Sequence, residues 1–181
     1  MKSINRINEC HNLNGRALPR NDVVYLVIHH CSLARKTLSN PRPIPDELLT
    51  GPELARIFRG NPGLGTARRT PYHIFITYPD GIIEQILPLC LRGAHALAHN
   101  NKSWGICTGG EGGLLTERQR GSLVWVCRAL YLLNGERAII GHDELIGGKR
   151  DPNKVCPGYD LKTIIEEVHL LGPTEPEGIA P

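Results

Sequence analysis

Apolar residues along this chain gather into short β-type runs, separated by helical periods and by loops rich in glycine and proline. Residues 23–29, VVYLVIH, are β-branched and apolar, the pattern of a strand buried on both faces. Residues 50–60, TGPELARIFRG, predict a short helix that Thr50 caps, with Pro52 in the first turn and Gly60 as the stop. In residues 72–86, YHIFITYPDGIIEQI, two apolar runs flank Pro79-Asp80-Gly81, which predicts a hairpin. Residues 103–110, SWGICTGG, predict a short buried strand ending in glycines. The longest helical period covers 116–135. It puts Leu123, Val126, Cys127, Leu130 and Leu133 on one face, with Thr116 to cap it and Gly135 to end it. Residues 137–142 predict one more strand, and Asp160 is placed to cap a last helix over 161–171.

The order strand, helix, hairpin, strand, helix, strand, helix predicts an α/β fold: a single domain with a central mixed β-sheet flanked by helices. A chain of 181 residues is long enough to bury one sizeable core. The domain is expected over 23–171, with 1–22 as a polar N-terminal extension and 172–181 as a flexible C-terminal tail. No internal repeat is present, and 20 glycines and 14 prolines predict long ordered loops.

Charge and cysteine usage narrow the function. A net charge of +3 is too mild for a nucleic-acid protein, which needs a dense basic patch, but suits weak attraction to an anionic cell envelope. Nothing approaches the run of about 18 apolar residues that crosses a membrane. The opening MKSINRINEC has no apolar core of a secretory leader, so the protein is expected to be cytoplasmic as synthesised. Six cysteines (Cys10, Cys31, Cys90, Cys107, Cys127 and Cys156) are scattered without a tight framework. That predicts free thiols or ligands rather than three disulfides.

The candidate chemistry begins in YLVIHHCS, where His29 and His30 are neighbours at the end of a strand. Adjacent strand residues face opposite ways, so one site takes one of the two. His142 and Cys156 also stand where a strand or loop ends. A His–His–Cys set fills three of zinc's four tetrahedral positions and leaves one open, the mark of a catalytic rather than a structural zinc. By spacing alone, single histidines and cysteines more than a hundred positions apart read as ordinary core residues.

Five segments in order change that reading: YLVIHHCS, PYHIFITYPDGIIEQ, GAHALAHNNKSWGICTGG, IIGHDE and KVCPGYDLK. From about residue 23 to 168 the chain resembles the zinc N-acetylmuramoyl-L-alanine amidases, the family of phage endolysin amidases and peptidoglycan recognition proteins. The resemblance implies one Zn2+ per chain held by His29, His142 and Cys156, with His30 as a rival for the first ligand and Asp151 in KRDP as a rival for the third. It implies that Tyr72 hydrogen-bonds the attacking water and that Lys154 steadies the oxyanion. It also implies that His95, Asn101 and Trp104 line the substrate groove near Asn100, while His73 faces away as a structural residue.

The substrate implied is the amide between N-acetylmuramic acid and L-alanine in peptidoglycan. The setting implied is an endolysin, working as a monomer and released by a holin-like partner. Two alternatives are a muropeptide-recycling amidase and a non-catalytic peptidoglycan-binding module. Recycling relatives carry a catalytic glutamate on the SWGICTGG strand. Here Gly109 stands at that position, with Glu111 two residues on and out of register.

Overall fold

The computed structural model describes residues 17–31, 45–60, 71–110, 114–145 and 155–170. The strands are β1 (Tyr25–Cys31), β2 (Ile74–Ile76), β3 (Ile83–Gln85), β4 (Ser103–Gly109) and β5 (Ala138–Gly141). The helices are α1 (Gly51–Gly60), α2 (Glu117–Asn134), α3 (His142–Leu145) and α4 (Lys162–Leu170). One mixed sheet has the order β3-β2-β4-β1-β5. β1 pairs in parallel with both β4 and β5, β2 is parallel to β4, and β3 closes the edge antiparallel to β2. This is the α/β arrangement expected from the order of apolar runs.

Alternation along the central strands divides the chemistry from the core. Leu26 and Ile28 of β1 pair with Trp104 and Ile106 of β4 and join Leu123, Val126, Cys127, Leu130, Ile164 and Val168 in the main core under α2 and α4. Alternate positions face the other way. There Phe75 and Cys107 pack with Leu49 and Leu54, and with the partly buried Cys31, Tyr72 and Ile86. His29 pairs with Cys107 in the ladder and so lies on this second face.

The helix ends follow their signals. Thr116 caps α2 through a capping box with Gln119, and Gln119 Nε2 also donates to the buried Gly109 carbonyl. Asp160 accepts from the Lys162 N–H at the start of α4. Several details differ from the expectation. Leu133 is 45% exposed, while Val124 is buried, because α2 leans on α4 as well as on the sheet. Leu18 lies in the core, and Ala17 bridges Leu91, so the polar opening segment adds an apolar anchor before β1. Cys90 is disulfide-bonded, against the expectation of free thiols or ligands, whereas Cys31, Cys107, Cys127 and Cys156 are free. Among the described residues, no helix is long and apolar enough to cross a membrane.

His73 is the structural residue expected of it. It is fully buried, accepts from the Gly105 N–H at Nδ1 (3.0 Å) and donates from Nε2 to the Leu91 carbonyl (2.8 Å). Burial lowers its pKa to about 4, against the opposing hydrogen bond to Leu91. The folded chain therefore prefers the neutral ring. Its contribution to stability is complete above the unfolded value near 6.5 and is lost as pH falls towards about 4, at about 1.4 kcal/mol per pH unit. His73→Gln keeps one acceptor and one donor but removes the titration. Urea unfolding of chelator-treated protein between pH 6.5 and 4.5 is expected to show a pH slope flatter than wild type by about one proton; equal slopes would contradict it.

Candidate metal centre

Topology alone brings two histidines together. β1 and β5 are parallel neighbours, so the chain leaves both at the same edge of the sheet, the edge where α/β folds build sites. His29 is near the end of β1, and His142 is the first residue after β5. Their rings lie 4.5 Å apart between centroids. The loop before α4 delivers Cys156, whose Sγ is 3.9 Å from His29 Nδ1. One donor atom from each of His29, His142 and Cys156 lies within 4.8 Å of the others. Zinc at its usual bond lengths and tetrahedral angle separates a nitrogen and a sulfur ligand by about 3.6 Å. The three donors therefore fit a single ion with little movement.

His30 is not in this cluster. Its ring hydrogen-bonds the Pro157 carbonyl, and its backbone N–H donates to Cys156 Sγ. The Asp143 N–H donates to the Cys156 carbonyl at 3.0 Å. The cysteine loop is thus tied to the residue after each histidine. Gly141 leaves room for this, because a Cβ there would stand 2.8 Å from Asp143 Oδ1 and 3.0 Å from Pro157 Cδ.

The electrostatics suit a cation. Burial, then the neighbouring His95, His142 and His30 rings, hold His29 well below the ordinary imidazole value, so it stays neutral with a free lone pair. Burial pushes the Cys156 thiol up, partly opposed by the His30 backbone N–H. Two imidazoles and one thiol form a borderline-soft donor set, which favours zinc over hard, oxygen-seeking cations. The rival ligand Asp151, the catalytic candidate Lys154 and Glu111 lie outside the described residues.

Tyr72 stands beside the cluster, its ring centroid 4.9 Å from that of His29. Its phenol hydrogen-bonds Cys107. Burial, and then the Cys107, Cys31 and Cys156 thiols around it, hold its pKa well above the ordinary phenol value, so it carries its proton at neutral pH.

Two residues expected in the substrate groove are elsewhere. Trp104 has no exposed surface; it faces α2 and donates its indole N–H to the Leu89 carbonyl at 2.8 Å. Strand alternation explains this, because Trp104 pairs with Leu26 on the core face. His95 is only 8% exposed and contacts His29 from within, its Nδ1 3.1 Å from His29 Nε2. Asn101 is exposed, whereas Asn100 fastens the loop, its Oδ1 accepting from the N–H groups of His95 and Ala96.

The sequence reading missed Ser103, Thr108 and Tyr159. The Thr108 hydroxyl donates to the His29 carbonyl at 3.3 Å, and the Tyr159 hydroxyl lies 3.1 Å from it. The available signal was a serine and a threonine within an otherwise apolar buried strand, where each must find a partner.

The family model for N-acetylmuramoyl-L-alanine amidase matches residues 19–159. The chain belongs to this amidase family. A search of curated proteins returns no sequence match. Solved structures share the fold. The endolysin N-acetylmuramoyl-L-alanine amidase LysCS from Clostridium intestinale URNW aligns over 88% of this amidase and 93% of its own chain, with 21% identity and a TM-score of 0.62. The endolysin of Thermus scotoductus MAT2119 bacteriophage Ph2119 covers 81% and 84%, at 16% identity and a TM-score of 0.60. Wild-type Drosophila PGRP-LB covers 94% and 89%, at 18% identity and a TM-score of 0.58.

Proposed function

We propose that this amidase hydrolyses the bond between the lactyl group of N-acetylmuramic acid and L-alanine in peptidoglycan, using one zinc ion held by His29, His142 and Cys156. The observation that carries the reading is the convergence of these three donors next to Tyr72 on one face of the sheet. Amide hydrolysis needs an activated water, a polarised carbonyl and a proton for the leaving amine. A zinc ion at this site supplies Lewis acidity for the first two.

The chain's own groups do the rest. Tyr72 keeps its phenolic proton and is placed to hold and return one beside His29. Lys154, two residues before Cys156, brings a cation to the developing oxyanion. Asn101 is exposed and available to the glycan or stem peptide. The protein works on the wall as an endolysin does, as a monomer, reaching it through a holin-like partner.

One observation weighs against the recycling alternative. A Cβ at Gly109 would stand 3.0 Å from Phe75 Cζ and 3.3 Å from the Tyr78 nitrogen, so a glutamate at this position would be crowded unless its neighbours shift. The test is a comparison of substrates. Purified sacculi should release product at a rate at least tenfold above that for soluble anhydro-muropeptides at equal bond concentration. A preference for the soluble substrate would move the function to recycling.

A further inference from the structure

The hydrogen bonds behind His29 form a chain whose proton positions are forced. Ser103 Oγ lies 2.7 Å from the His99 carbonyl, which only accepts, so the serine hydroxyl donates there. Ser103 then has no hydrogen left for His95, whose Nε2 is 3.4 Å from Oγ. The His95 ring also hydrogen-bonds the Ser103 backbone carbonyl, again an acceptor. The Oγ contact requires the hydrogen of His95 to be on Nε2, and a ring that donates to the Ser103 carbonyl agrees with it. Its Nδ1 is therefore an acceptor, and it faces His29 Nε2 at 3.1 Å. His29 must carry its own hydrogen on Nε2, which leaves the Nδ1 lone pair directed at the side where Cys156 Sγ lies, 3.9 Å away.

The surroundings are shaped to hold His95 in this pose. A Cβ on Gly105 would lie 2.7 Å from the His95 ring, and one on Gly93 would lie 2.9 Å from it, so two glycines make the space. Asn100 Oδ1 pins the backbone at His95 and Ala96 by accepting from both N–H groups. The imidazole rings of His29 and His95 meet edge to face, at 88°.

We propose that His95 is a positioning residue for the metal site: by accepting the Nε2 hydrogen of His29 and donating to Ser103, it fixes the His29 tautomer and ring angle so that Nδ1 is the metal-binding atom. This rests on the His29, His142 and Cys156 reading above, but its first test needs no metal. Loss of a hydrogen-bond partner that holds a metal-binding imidazole in this way lowers metal affinity by about 10–100-fold.

Two measurements test it. Long-range 1H–15N spectra of metal-free wild-type protein should show His29 and His95 both as the Nε2–H tautomer. His29 with its hydrogen on Nδ1 would overturn the proposal whether or not zinc binds. Zinc competition titration against a fluorescent chelator should then find His95→Phe, which keeps a ring but no acceptor, weaker by about 10–100-fold. His95→Asn, whose Oδ1 can take the place of Nδ1, should recover most of that loss. Equal zinc affinity in wild type and His95→Phe, or no recovery in His95→Asn when both variants fold, would overturn it. Failure of the wild type to bind zinc at all would instead overturn the metal site itself, while the tautomer measurement still decides the role of His95.

Discussion

Cys156→Ala is expected to lower bound zinc from one per chain to below one tenth and to reduce hydrolysis of sacculi by about a thousandfold or more. Three features place the large effect here. Sγ is one of three donors within 4.8 Å, and no carboxylate joins them among the described residues. A pair of imidazoles without the third ligand is a weak zinc site. The loop is also fixed at both ends of the contact, by the Asp143 N–H to its carbonyl and the His30 N–H to its sulfur, so no neighbour can swing into its place easily. The main core under α2 and α4 does not include Cys156, so the variant should fold and lose only the zinc-dependent rise in melting temperature. Elemental analysis of purified protein and a thermal melt with and without zinc read both effects. Asp151→Ala is expected to leave them unchanged. If Asp151→Ala loses zinc while Cys156→Ala keeps it, the third ligand is Asp151.

Tyr72→Phe is expected to keep zinc near one per chain and to lower turnover on sacculi by about 10²–10⁴-fold, the range for loss of a proton-transfer group. The ring still fills the space against Leu49, Leu54 and Phe75, so packing of that small cluster is preserved. What disappears is the hydroxyl that hydrogen-bonds Cys107, 4.9 Å from His29 measured between ring centroids. Lys154→Ala should likewise keep zinc and lower turnover by about 10²–10³-fold, as expected for one oxyanion partner. Unchanged turnover in either variant, with metal content intact, removes the role assigned to that residue.

The fold was legible wherever a local signal decided it. The capping residues Thr116 and Asp160 mark their helices, and the β-branched run before His29 marks the central strand. The cluster of His29, His142 and Cys156 was legible only through five motifs in order, since parallel pairing of β1 with β5 brings together residues more than a hundred positions apart. What failed was the assignment of neighbours on β4 and on the loop before it. The motif context places Trp104 and His95 in the groove, but strand alternation turns Trp104 into the core and hydrogen bonding turns His95 towards His29. Proximity in sequence to a site does not say which side of the sheet a side chain takes. His30 illustrates the same point in the other direction: facing away from the cluster, it still holds the third loop through Pro157 and Cys156.

The central claim is a zinc-dependent cut at one amide bond, and end-group analysis of digested sacculi tests it most directly. Purified protein should solubilise sacculi while releasing new L-alanine amino termini and no new reducing sugar ends. A chelator should stop the release, and zinc added in excess should restore it. New reducing ends without free L-alanine, or release that continues in metal-stripped protein, would contradict the account.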